Sequence, residues 1–130
     1  MENKNPAKIL VVDDSSVNNF LLENVLEEKG HHLQVAYNGK EALAFINEDP
    51  PDIILLDIMM PGIDGFEILN ELSQNESTRK IPVIMVTSKN EDTDKERAFK
   101  SGAVEYIVKP IDIEELLAKV EKTLEKISTT

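Results

Sequence analysis

The chain has 130 residues, 41% of them hydrophobic, which suffices for one compact domain that buries roughly two-thirds of its unfolded surface. Its 25 acidic residues outnumber its 14 Lys and Arg, and the net charge of −11 disfavours direct contact with nucleic acid or an anionic membrane. No apolar run approaches the roughly 18 to 20 residues of a membrane span, and there is no Cys and no apolar signal core. We therefore expect one domain over residues 1–130, with a core from about 7 to 127, in the cytoplasm.

In the first half of the chain, two short β-branched runs alternate with two helical patterns. A strand is predicted from Lys8 to Asp13, and a helix with a C-terminal stop at Gly30 follows it. The apolar residues that indicate this helix are Val17, Phe20, Leu21 and Val25. A second strand is predicted from Leu33 to Tyr37, and a second helix begins after the Asn38-Gly39 turn and ends before Pro50-Pro51.

The second half continues the alternation. A continuously apolar strand is predicted from Asp52 to Asp57, followed by a helix after Asp64-Gly65, a fourth strand from Pro82 to Thr87 and a short charged helix from about Asp92 to Ser101. A fifth strand from Glu105 to Val108 precedes the last helix. The apolar stripe predicted to face the sheet in that helix is Ile113, Leu116, Leu117, Val120, Leu124 and Ile127. Five such alternations indicate an α/β fold with five helices covering both faces of a five-stranded parallel sheet.

Polar residues stand where four of these strands end. Asp13 and Asp14 end the first strand and Asp57 ends the third, so three carboxylates should meet at one edge of the sheet. Bringing them together without a cation would cost several kcal/mol, and an acidic pair beside a third carboxylate suits Mg²⁺. Thr87 and Lys109 end the fourth and fifth strands and could contact a phosphoryl group, with Asp57 as the nucleophile. Singly these residues are ordinary caps, strand residues or surface lysines; their combination indicates a site.

The chain resembles a response-regulator receiver domain of two-component signalling, similar to the single-domain chemotaxis regulators. The matching motifs, in the family's order, are Ile9 to Asp14, Asp57 to Gly65 including Pro61, Val86-Thr87-Ser88, Gly102-Ala103 and Tyr106 to Pro110. The resemblance implies a flavodoxin-like, doubly wound sheet with strand order 2-1-3-4-5. It also implies a cis bond between Lys109 and Pro110.

The same resemblance assigns roles. Asp57 is the expected phosphoacceptor; Asp13, Asp14, Asp57 and the Met59 backbone carbonyl are the expected Mg²⁺ ligands; and Thr87 and Lys109 are expected to contact the phosphoryl group. On phosphorylation the Thr87 hydroxyl should move toward the phosphate, and Tyr106 should turn inward. The partner-binding face would then be the fourth helix, the fifth strand and the fifth helix.

The expected function is a switch that takes its phosphoryl group from a sensor histidine kinase or a histidine phosphotransfer protein and signals to a downstream effector protein. The chain would be a monomer or a weak phosphorylation-dependent dimer. One alternative is a relay that passes the group on to a histidine phosphotransfer protein. A remote alternative is a flavodoxin-like electron carrier, but Asp13-Asp14 would repel the FMN phosphate. A Mg²⁺ phosphatase with an aspartyl nucleophile would need a general acid two residues after Asp57, where this chain has Met59. We therefore expect no enzymatic turnover.

Overall fold

In the computed structural model, residues 6–60 and 62–128 are described, so Pro61 of the turn motif lies outside the described residues. The strands are β1 (Lys8–Val12), β2 (His32–Ala36), β3 (Ile53–Leu56), β4 (Val83–Thr87) and β5 (Glu105–Val108). The helices are α1 (Ser16–Glu28), α2 (Gly39–Glu48), α3 (Gly65–Gln74), α4 (Asp92–Lys100) and α5 (Ile113–Ser128). Every strand pair is parallel, and the order is β2-β1-β3-β4-β5. The predicted class and strand order are confirmed.

Two apolar clusters lie on opposite faces of the sheet, because successive strand residues point to opposite sides. In β1, Leu10 and Val12 join the cluster under α2, α3 and α4, whereas Ile9 and Val11 join the cluster under α1 and α5. All residues of β3 and β4 are buried, as expected for strands covered on both faces. The sheet is therefore the middle layer of three, and its strand ends are left for the loops.

The first three helices begin at capping side chains. Ser15 accepts a hydrogen bond from the Asn18 amide, Asn38 accepts one from Glu41, and Asp64 accepts one from Glu67. Each cap satisfies an otherwise unpaired N–H and contributes about 1 kcal/mol. These caps fix where each chain segment turns from the sheet edge into a helix.

The first helix differs from the sequence pattern in the face that it buries. Val17 and Phe20 are 78% and 68% exposed, whereas Asn19 is buried together with Leu22 and Leu26. Apolar spacing predicts the helix itself, but the buried side is the one that carries Asn19, Leu22 and Leu26. In contrast, α3 buries the apolar residues that recur at helical spacing in its sequence, Phe66, Ile68, Leu69 and Leu72. Among the described residues, no helix combines the length and the apolar character needed to cross a membrane.

Candidate functional site

Four strands deliver their polar residues to one edge of the sheet. Asp13 directly follows β1 and Asp57 directly follows β3, and the register pairs Val12 with Leu56, so the two aspartates leave adjacent strands side by side. Thr87 is the last residue of β4, and Lys109 directly follows β5. The predicted strands were one residue too long at Asp13 and Asp57, since both residues already belong to the loops. Both side chains are nevertheless buried at this edge.

Asp13 is held on both its side chain and its backbone. Its Oδ1 accepts a hydrogen bond of 2.9 Å from the Ser15 amide, and its carbonyl oxygen accepts one of 2.8 Å from Asn19 Nδ2. Burial raises the pKa of Asp13 above its ordinary value, although hydrogen bonds from Lys109 and from the Ser15 amide oppose that shift. The carboxylate is therefore expensive to keep charged unless a cation is near.

Lys109 supplies that cation. Its Nζ lies 2.7 Å from Asp13 Oδ2 and 3.0 Å from Asp57 Oδ2, so one ammonium bridges the ends of two strands. Burial by itself would lower the pKa of Lys109, but the hydrogen bonds to Asp13 and Asp57 outweigh it and the pKa is raised. Lys109 thus stays charged and pairs with both buried carboxyl groups. The Lys109-Pro110 bond is cis, as predicted.

The loop after β3 holds Asp57 against the start of α3. Asp57 is 5% exposed, and its Oδ1 accepts a hydrogen bond of 3.1 Å from the Met59 amide. A Cβ on Gly65 would lie 2.4 Å from the Asp57 carbonyl oxygen and 2.6 Å from Ile58 Cα, both backbone atoms. Only glycine permits this approach, which seats the helix directly behind the Asp57 turn.

The three aspartates form a cluster that could hold a metal ion. One oxygen from each of Asp13, Asp14 and Asp57 lies within 4.8 Å of the others. Asp13 and Asp57 are buried and Asp14 is exposed, so the cluster has a protein wall on one side and solvent on the other. An all-oxygen donor set with an open side fits a hard cation that keeps part of its water shell, such as Mg²⁺. The donor chemistry therefore matches the predicted ion.

Thr87 and Tyr106 lie on the β4 and β5 side of the site. Thr87 is fully buried, and its Oγ1 accepts a hydrogen bond of 3.4 Å from the Lys89 amide. Tyr106 is 7% exposed, and its hydroxyl donates a bond of 2.7 Å to the Lys89 carbonyl oxygen. Burial, with smaller contributions from Asp94 and Asp57, raises the pKa of Tyr106 to about 12. Tyr106 is thus already turned inward and fastened to the loop that follows Thr87.

Comparison with known proteins shows the family of this chain. Residues 9–121 match the family model for the response regulator receiver domain. The chain belongs to the response-regulator receiver family. It is 41% identical over 118 residues to Protein PilH of Pseudomonas aeruginosa, an alignment that covers 91% of this chain and 98% of that protein. It is also 44% identical to Response regulator PleD of Caulobacter vibrioides, where the match covers 88% of this chain but only 25% of the relative.

Solved structures give the same assignment. The chemotaxis protein CheY4 of Vibrio cholerae superposes with a TM-score of 0.85 at 29% identity, covering 92% of this chain and 99% of that one. A two-component response regulator from Clostridium difficile superposes with a TM-score of 0.87 at 34% identity, covering 92% and 97% of the two chains. The chain is therefore a receiver domain of two-component signalling, and its predicted family is confirmed.

Sequence reasoning missed two residues that shape this receiver site. Asn19 lies in the first turn of α1, and its side chain reaches back to the Asp13 carbonyl oxygen. Gly65 is the first residue of α3, and its lack of a side chain is what lets the helix approach the Asp57 backbone. The only sequence signal for Asn19 was its spacing of three and seven residues from Leu22 and Leu26, on what proves to be the buried face.

Proposed function

We propose that this receiver takes a phosphoryl group from a phosphohistidine donor onto Asp57 and thereby switches a protein-binding face. The observation that carries the proposal is the buried Asp57 carboxylate, which shares Lys109 with Asp13 and clusters with Asp13 and Asp14. A nearly buried carboxylate beside an ammonium can act as a nucleophile toward phosphorus once a cation offsets the repulsion from Asp13 and Asp14.

In the proposed step, an Asp57 carboxylate oxygen forms a bond to phosphorus while the bond from phosphorus to the histidine nitrogen breaks, and the imidazole keeps that electron pair. Asp13, Asp14, Asp57 and the Met59 carbonyl would hold Mg²⁺, which supplies charge neutralisation for the phosphoryl oxygens when it is bound. Lys109 would exchange one of its carboxylate contacts for a phosphoryl oxygen. Thr87 would donate its hydroxyl hydrogen to another.

The switch would reach the surface through Tyr106 and its neighbours. The Tyr106 hydroxyl bonds the Lys89 carbonyl, two residues after Thr87, and the Tyr106 carbonyl accepts a bond of 3.0 Å from Lys119 Nζ on α5. Lys119 also pairs with Glu115 at 3.0 Å. A movement of Thr87 would therefore displace groups in the loop before α4, in β5 and in α5 through these hydrogen bonds. This supports the α4, β5 and α5 surface as the partner-binding face.

A transfer experiment tests the proposal. The protein is incubated with Mg²⁺ and labelled, phosphorylated histidine kinases or phosphotransfer proteins, and the label is followed in both directions. We expect label on the wild-type chain and none on Asp57→Asn, and an Asp57→Asn variant that took label at the wild-type rate would contradict the assignment. Onward transfer to a second histidine would indicate the relay alternative, whereas accumulation would indicate an effector-binding switch.

A second experiment addresses the switch and the absence of turnover. Beryllofluoride with Mg²⁺ should shift the NMR signals of Tyr106 and α4 in the wild-type protein and leave Asp57→Ala unchanged. Unshifted wild-type signals would count against the switch. Steady hydrolysis of an added phosphomonoester, lost in Asp57→Ala, would show that the protein is a turnover enzyme instead.

A further inference from the structure

Asn19 is a polar residue on the buried, otherwise apolar face of α1. It is 1% exposed and lies on the buried face of α1, three and seven residues before Leu22 and Leu26. Leu22 and Leu26, on the same face of α1, belong to the aliphatic cluster that α1 and α5 form with the sheet. A buried amide in such surroundings stabilises the fold only if its hydrogen-bonding groups are satisfied.

Only half of this amide is satisfied. Asn19 Nδ2 donates a bond of 2.8 Å to the Asp13 carbonyl oxygen. Asn19 Oδ1, in contrast, is the one buried side-chain nitrogen or oxygen without a hydrogen-bond partner in the described part of the chain. A buried amide that pairs only one of its two polar atoms with protein groups contributes less to stability than a fully paired one. An aliphatic residue of similar size would therefore suit the buried face of α1 at least as well on stability grounds.

The bond that Asn19 does make ends on the residue that carries the first carboxylate. The Asp13 side chain is oriented by the Ser15 amide and by Lys109, and Asn19 restrains its backbone from the other side. Asn19 thereby ties the first turns of α1 to the end of β1. The short Asp13-Asp14 segment between them is fixed relative to Asp57.

We propose that Asn19 is a positioning residue of the cation site, retained at a cost in stability because it holds Asp13 and Asp14 in register with Asp57. This inference rests on the proposed Mg²⁺ binding. Residues that orient metal ligands without touching the ion typically change metal affinity by 10- to 100-fold when they are replaced. Local violations of packing rules are also concentrated at functional sites.

The substitution Asn19→Leu separates the two effects, because it fills the same space while removing both the donor and the unpaired acceptor. Mg²⁺ affinity is measured by calorimetry, with Mn²⁺ binding followed by EPR as a second readout, and stability is measured by urea unfolding without metal. We expect roughly a 10-fold or greater loss of affinity with an unchanged or higher urea midpoint. Asn18→Leu makes the same change at the preceding, half-buried residue and should bind Mg²⁺ like the wild-type protein.

Wild-type affinity in Asn19→Leu, with or without a shifted midpoint, would overturn the inference and leave Asn19 a packing residue. If Asn19→Leu does not fold, Asn19→Ala removes the same donor without crowding the site, and the same loss of affinity is expected. A wild-type protein that bound neither Mg²⁺ nor Mn²⁺ would overturn the proposed cation site itself. The two failures are therefore distinguishable.

Discussion

The substitution Gly65→Ala should disturb the fold and the candidate site together. The added Cβ would lie 2.4 Å from the Asp57 carbonyl oxygen, and real Cβ contacts essentially never fall below 3.0 Å. Because the clashing atoms are backbone, no side-chain rotation can relieve the contact, and α3 must move away from the Asp57 turn. Overpacking of this kind costs about 1 to 3 kcal/mol, and stretching the 3.0 Å bond from the Gly65 amide to the Ile58 carbonyl costs about 1 more. We expect the free energy of unfolding to fall by about 2 to 4 kcal/mol.

Urea unfolding followed by circular dichroism measures this loss, and Gly39→Ala is its matched control. Gly39, like Gly65, is the first residue of a helix behind a side-chain cap. Its added Cβ would come no closer than 3.0 Å, and the nearest atom belongs to the Ile63 side chain. The control should stay within about 1 kcal/mol of wild type, helped by the higher helix propensity of Ala. Equal stabilities of the two variants would refute the argument that the Gly65 approach is obligatory.

Two further predictions concern the charged and phenolic groups of the site. Lys109→Met removes the ammonium between Asp13 and Asp57 and should lower the free energy of unfolding by about 3 kcal/mol near neutral pH. Saturating Mg²⁺ should restore part of that stability. The same loss of stability with and without Mg²⁺ would contradict the proposed site. Because the pKa of Tyr106 is raised from 10.0 to about 12, its contribution to stability is complete below pH 10 and is lost as pH rises toward 12, by about 2 to 3 kcal/mol. In Tyr37→Phe, which leaves Tyr106 as the only tyrosine, the phenolate absorbance should titrate with that midpoint, and a midpoint near 10 would contradict it.

The sequence was sufficient for the order of elements and for the residues that meet at the sheet edge. Asp13, Asp57 and Lys109 could be predicted together because each follows an apolar run, and the ends of parallel strands share one edge. The buried face of α3 could also be predicted, since its apolar residues recur at helical spacing on one side. In these places local pattern and tertiary packing favour the same arrangement.

The sequence was insufficient where the outcome depends on distances between residues that are far apart in the chain. In α1, Val17 and Phe20 face solvent although they are apolar, because Asn19, Leu22 and Leu26 form the face that packs on the sheet. The need for glycine at position 65 follows from the distance to the Asp57 backbone, which periodicity cannot supply. Tyr106 was expected to turn inward on phosphorylation, yet it is inward here. The sequence is compatible with both the inward and the outward position of Tyr106. The relative free energies of the two positions depend on contacts that only the folded chain makes.

The position of Lys109 has a consequence for how the protein is made. Its partners Asp13 and Asp57 precede it by 96 and 52 residues, and β5, which carries it to the site, follows the other four described strands in sequence and lies at an edge of the sheet. While a ribosome extends the chain, the first and third strands emerge early with their acidic ends, and the ammonium that neutralises them emerges last. A nascent chain that stopped before β5 would hold carboxylates without their counter-charge. The addition of β5 therefore completes the sheet and, in the same step, brings Lys109 to the two carboxylates.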